Sequence, residues 1–311
     1  MSSFCIRLKV GFLEGIKKGW ASFVWITKFV VPLSLLVTLL QWSGWLSNSY
    51  FLLNPLTRLI NLPPEAALPI ISGMLINLYA CIAIITVVPF TTAQMTLIAI
   101  FTLIAHNLIL EGIIQHKSGI HWARITAIRI GAAVITVLIV SRFLGDTSQS
   151  VAPASLASHA PFLDMLRDWA IATIKLLIKI IAIIMGIMIA LGCFKSLGWI
   201  DNILRVFRPL GRAFGLEDHT VMMFMAAIVF GLLYGGAVIV EESKRDAFGK
   251  DELEYLHMSI GINHSMLEDP ALFTVLGLNA FWMWVPKLLM AIVVVQSYRG
   301  LKYLKTRLVR A

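Results

Sequence analysis

The chain has 311 residues, of which 59% are hydrophobic and only 14% charged, with a mean hydropathy of +0.84. A soluble domain carries roughly 25% charged residues, and a buried core alone does not explain so large a deficit, so a soluble globular protein is excluded. The formal net charge of +9 is not a nucleic-acid signature. Arg7, Lys9, Lys17 and Lys18 precede the first apolar stretch, and Arg299, Lys302, Lys305, Arg307 and Arg310 follow the last, which is where anionic lipid and the positive-inside rule place them.

Residues 1–20 read as a retained amphipathic interfacial helix. Its basic residues interrupt Phe4, Ile6, Leu8, Phe12, Leu13, Ile16 and Trp20, and no small-residue cleavage site follows. A first membrane repeat occupies 21–145. It holds a long apolar helix at about 21–43, an amphipathic connector at about 46–62, and apolar segments near 66–90, 93–116 and 121–143. A polar linker spans 146–166, with Ser, Ala and two prolines in its first part. The second membrane repeat, 167–299, has the same parts: a helix at 169–195, a connector at 200–216, and segments near 219–241, 253–276 and 279–298. Residues 300–311 form a basic cytoplasmic tail. Stretches of about 18 or more apolar residues mark membrane spans. Cys5, Cys81 and Cys193 form no ligand spacing and read as small packing residues.

The two repeats are related in sequence. Gly44-Trp45-Leu46-Ser47-Asn48 and Asn54-Pro55-Leu56-Thr57-Arg58 recur 154 residues later as Gly198-Trp199-Ile200-Asp201-Asn202 and Arg208-Pro209-Leu210-Gly211-Arg212. Leu78-Tyr79 recurs as Leu233-Tyr234, His106-Asn107 is set against Asn263-His264, Glu111 against Glu268, and Ser118-Gly119 against Leu276-Gly277. If every apolar segment crosses, the basic connector at 195–213 lies outside, against the positive-inside rule. If one segment per copy is re-entrant, the copies are inverted, the connector and both termini are cytoplasmic, and the Ser/Ala linker is outside. The expected fold is therefore an all-α polytopic membrane protein of two inverted repeats, each with three to four transmembrane segments including a re-entrant hairpin. Pro69, Gly73 and Asn77 mark that hairpin in the first copy, and Gly231, Gly235 and Gly236 in the second.

Ionisable groups inside apolar segments are functional candidates. Helical spacing of four puts Asn107, Glu111 and Gln115 on one face with His106 beside them, and His257, Asn263, His264, Glu268 and Asp269 form the second cluster. Three chemistries are open: a substrate and coupling-ion site, helix pairing of each Glu with Arg129 or Lys287, or a metal path. Lys28 and Lys175 lie near helix ends and read as snorkelling, whereas Lys179 lies deeper and calls for an anionic partner. The charged run 241–246 reads as a solvated loop. No Gly-x-Ser-x-Gly, phosphate loop or His-Glu-x-x-His occurs, so no enzyme and no cofactor is expected.

The stretch from Leu78-Tyr79-Ala80 through Ala105-His106-Asn107-Leu108-Ile109-Leu110-Glu111 to Gln115-His116-Lys117-Ser118-Gly119 resembles bacterial membrane proteins carrying the nucleoside-recognition, or GATE, domain. Such domains also occur in concentrative nucleoside transporters and ferrous-iron permeases. The resemblance implies re-entrant hairpins beside polar-centred helices, in the bacterial inner membrane. The chain is shorter than a full nucleoside transporter and lacks the permeases' GTPase domain. The leading expectation is a secondary transporter of a small polar, nucleoside-like solute, coupled to protons or sodium. Its site would hold His106, Asn107, Glu111, Gln115, Asn263, His264, Glu268, Asn77, Tyr79 and Tyr234, with Glu111, Glu268, Arg129, Lys287 and Lys179 in coupling or salt bridges. A non-transporting membrane scaffold and a divalent-metal permease are the alternatives. Lipid, a solute, a coupling cation and a second copy of the chain are the partners considered.

Overall fold

Long runs of Leu, Ile, Val, Ala and Phe unbroken by turn residues can satisfy their backbone groups in lipid only as helix, and helix is what forms. The computed structural model describes residues 3–45, 57–149, 161–199 and 249–310, with scattered positions between 202 and 243. Its helices are α1 (Ser3–Trp42), α2 (Ala67–Leu75), α3 (Leu78–Ile85), α4 (Thr92–Ala105), α5 (Leu108–Lys117), α6 (Trp122–Leu144), α7 (Phe162–Ser196), α8 (Lys250–Asn263), α9 (Glu268–Thr274) and α10 (Ala280–Arg310). Among the described residues there is no strand, and five stretches are long and apolar enough to cross a membrane: Phe4–Trp42, Thr92–Lys117, Trp122–Leu144, Phe162–Ser196 and Ala280–Leu308.

Burial is arranged for lipid. On α6, Ile135, Ile139 and Phe143 are 52%, 52% and 70% exposed while Arg129 on the same helix is 1% exposed. Water would favour the opposite arrangement, and hydrocarbon favours this one.

The expected hairpin is present in the first copy. Residues 66–90 do not cross as one helix: α2 ends at Leu75, and Asn77 caps α3 by accepting a hydrogen bond from the Ala80 N–H at 2.9 Å. A β-carbon built on Gly73 would lie 3.3 Å from the Cys81 Cβ, so the chain folds back on itself here. At about 1.5 Å per residue each arm is about half the ~30 Å hydrocarbon thickness. Asn77 thus serves the hairpin turn. The hairpin expected in the second copy, 219–241, falls largely outside the described residues, as do Tyr234 and most of the charged run 241–246.

Three boundaries differ from the sequence reading. The expected interfacial helix of residues 1–20 is continuous with the first span, because Gly11, Gly15 and Gly19 form a smooth stripe that lets α1 lie directly on α7 at Gly192, Ile189 and Met185. The basic tail likewise continues α10 to Arg310, and α7 begins at Phe162, inside the expected linker. The segments 93–116 and 253–276 are each two helices, broken at His106–Asn107 and at His264–Leu267.

The backbone repeats itself closely. Starts of α4 and α8, ends of the same helices, and starts of α6 and α10 all lie 158 residues apart. Left-handed conformations recur at Asn107 and Ser265 (φ 53° and 49°) and at Gly119 and Gly277 (φ 75° and 82°). Counterpart helices run in opposite directions. Contacts of α1 with α7 pass from Gly11–Gly192 to the Trp169 Nε1 bond to Ser34 Oγ (3.1 Å) and the Trp42–Phe162 ring contact. α4 starts against the linker, where Gln94 Nε2 donates to the carbonyls of Thr147 (3.2 Å) and Gln149 (2.8 Å). α8 starts at the far end, where Lys302 Nζ meets Asp251 and Glu254, each at 2.6 Å. α6 runs from the Arg124–Glu254 bond (3.2 Å) to the Phe143–Trp282 contact, and α10 makes the return journey.

Candidate functional site

The C-terminal ends of α4 and α8 meet at the centre, and each presents a histidine at its break. His106 Nδ1 lies 2.9 Å from the Thr102 carbonyl and His264 Nδ1 lies 3.0 Å from the Ile260 carbonyl, the same last-turn contact in both copies. The two Nε2 atoms face each other at 2.9 Å.

Breaking a helix strands the carbonyls of its last turn, which must find other donors. In the first copy Arg129 of α6 supplies them: Nε donates to the Ile104 carbonyl and Nη2 to the His106 carbonyl, each at 3.0 Å. Its Nη1 lies 2.7 Å from Glu111 Oε1 on α5. In the second copy Lys287 of α10 donates to the His264 carbonyl at 3.3 Å. Both cations therefore stabilise the breaks, and Arg129 also pairs with Glu111. The stem of Arg129 crosses α8 at Gly261, where a β-carbon would lie 2.8 Å from Arg129 Cδ.

These contacts correct the alignment of the two clusters. His264 is the counterpart of His106, not of Asn107; Ser265 matches Asn107, and Asp269 rather than Glu268 matches Glu111. Asp269 Oδ2 lies 3.3 Å from His106 Nε2. Asp269 was visible beside the cluster but was not among the site residues; the 158-residue spacing of Gly119 and Gly277, carried back to Glu111, identifies it. The expected common face of Asn107, Glu111 and Gln115 is also corrected, since Asn107 sits in the break with φ 53° and only Glu111 and Gln115 belong to α5.

The remaining expected residues divide into those at the centre and those away from it. Glu268 does not pair with Lys287; it accepts a hydrogen bond from Tyr79 Oη at 3.1 Å and so ties α3 to α9 across the copies. Gln115, Asn263 and His257 are buried, and among the described residues Gln115 Oε1, both side-chain polar atoms of Asn263, His257 Nε2 and Asp269 Oδ2 have no hydrogen-bond partner. Lys179 is not in the cluster. With Lys175, Asp168, Gln41 and Thr86 it lines a separate cavity of about 1060 Å³ between the linker-side ends of α1 and α7 and the ends of α3 and α9.

Among the described residues, His106, His264 and Asp269 are the group whose donor atoms, all within 4.8 Å of one another, could approach a metal ion. A zinc ion at ~2.0–2.1 Å from each nitrogen, in tetrahedral geometry, holds the two nitrogens about 3.3 Å apart. The observed 2.9 Å is shorter than that and is a hydrogen-bonding distance.

No protein-family model matches the chain, and no solved structure matches it. Over 275 residues, 87% of this chain and 88% of the relative, it is 28% identical to the uncharacterized membrane protein YvoD of Bacillus subtilis (strain 168). Together with the five apolar stretches long enough to cross a membrane and their lipid-suited burial, this makes the chain an all-α, multi-pass membrane protein.

Proposed function

We propose that the protein is a secondary transporter of a small polar solute, coupled to a cation, built from two inverted repeats with the polar cluster on the axis between them. The opposite directions of α1 and α7, α4 and α8, and α6 and α10 support the inverted arrangement. One observation carries the functional reading. Ionisable side chains from both copies meet at two helix breaks in the protein's centre, and several buried polar atoms of the cluster helices have no partner among the described residues. Polar groups are costly in a membrane protein and mark substrate and ion paths, and discontinuous helices at a repeat interface are where transporters bind them. His106, His264 and Asp269 take the cation-sensitive role, with Glu111 positioned by Arg129; Gln115, Asn263 and His257 supply hydrogen bonds to solute. A nucleoside-like solute follows from the GATE resemblance, and the inner membrane from that resemblance and the basic termini.

Thermal unfolding of the detergent-purified protein tests this, with nucleosides, sodium, divalent metals and small carboxylates added at two pH values. A ligand at 100 times its Kd adds about 2.7 kcal/mol to the native state. One class should raise the Tm of the wild type and leave a Glu111→Gln/Asp269→Asn variant unmoved. Equal shifts in both proteins would rule out the central site. A scaffold role has one observation in its favour, the Glu111–Arg129 pair sealed at 2.7 Å with both residues at most 2% exposed, and it predicts no ligand shift at all.

A further inference from the structure

We infer that His106 and His264 together bind a single proton, shared between their Nε2 atoms, and that this proton is the cation held between the two copies. A backbone carbonyl only accepts hydrogen bonds, so the carbonyls of Thr102 and Ile260 require a hydrogen on Nδ1 of both rings. A neutral imidazole protonated at Nδ1 presents a bare lone pair at Nε2. Two such lone pairs facing each other at 2.9 Å repel, and neither ring can change tautomer without losing its carbonyl. One added proton converts the repulsion into an N–H···N hydrogen bond at the observed distance. A second proton would set two N–H groups against each other. The pair therefore takes one.

The surroundings suit a charge of one. The groups around the pair are Glu111 from α5, 3.7 Å from His264 Nδ1, Arg129 from α6, Asp269 from α9, Lys287 from α10, and Glu268 of α9 with Tyr79 of α3 bonded to it; His257 is buried on α8 itself. In formal charge, Glu111, Asp269 and Glu268 exceed Arg129 and Lys287 by one, which a single proton offsets and a divalent ion overshoots. Asp269 Oδ2, with no hydrogen bond among the described residues, lies 3.3 Å from His106 Nε2 and faces the positive charge. Because the rings belong to different copies, any motion that parts the copies breaks the N–H···N bond, leaving the proton to one ring or to Asp269. That gives a coupled transporter its ion step. The coupling consequence rests on the transporter reading above, whereas the proton site itself does not.

The test is nuclear magnetic resonance of the full chain in detergent, labelled with 15N-histidine, with His106→Gln and His264→Gln used for assignment. A through-hydrogen-bond coupling between the two Nε2 atoms is expected, together with protonated Nδ1 on both rings and loss of the coupling in either variant. The wild-type spectrum alone carries the coupling if a variant fails to fold. Two uncoupled Nε2 lone pairs overturn the inference, as does a stoichiometric transition metal that survives dialysis against chelator. Coupling without any proton-dependent solute uptake would leave the proton site standing and remove the transporter reading. Proton-dependent uptake without coupling would do the reverse.

Discussion

Arg129→Leu should lower stability more than any other single change in the central cluster, by about 3–5 kcal/mol. The side chain is 1% exposed, and its loss strands the carbonyls of Ile104 and His106 and leaves the Glu111 carboxylate buried without its cation. The double variant Arg129→Leu/Glu111→Leu should be more stable than the single, because it removes the orphaned charge while leaving only the neutral carbonyls unmet. Lys287→Leu loses one 3.3 Å hydrogen bond and should cost about 1–2 kcal/mol. Thermal unfolding of the four proteins in one detergent measures all three comparisons. A double variant no more stable than Arg129→Leu would show that Arg129 acts through the helix break alone.

Asn263→Leu should move stability the other way. Asn263 is fully buried at the last position of α8, and among the described residues neither polar atom of its side chain has a partner. Burying an unsatisfied amide costs about 1–3 kcal/mol by mutational estimates, and leucine occupies a similar volume without that cost. The variant should melt higher than the wild type, by an amount corresponding to about 1–2 kcal/mol, and should lose the ligand-induced shift. A residue kept at the expense of stability has its use in binding. A destabilised Asn263→Leu would instead mean that the amide is satisfied within the folded protein.

Much of the architecture was legible in the sequence because the membrane narrows the choices. Long apolar stretches with basic ends leave little but spanning helices, and the 154-residue recurrence of Gly44-Trp45 marks the duplication in the sequence itself. Pro69, Gly73 and Asn77 located the hairpin, since a break must be marked by residues that end one helix and cap the next. The breaks at His106–Asn107 and His264–Leu267 were hidden for a physical reason. Nothing in Ala105-His106-Asn107-Leu108 forbids helix locally, and the break is held by Arg129, a residue 23 positions away from His106. Polar matches also slipped by one, because Asn263-His264 mimics His106-Asn107 in reverse; only the backbone, with Asn107 and Ser265 in the same left-handed conformation, sets the alignment. The continuity of α1 through residue 20 depends on packing against α7, and sequence patterning within one segment does not carry that information.

The most direct test of the account is solute-driven proton movement in proteoliposomes loaded with a pH-sensitive dye. It compares the wild type with a folded His106→Gln/His264→Gln variant across nucleosides, small carboxylates and amino acids. At least one solute class should change the internal pH with the wild type, and the variant should abolish the change. Wild-type liposomes whose internal pH no solute alters, with the protein shown to be folded and correctly inserted, would contradict it.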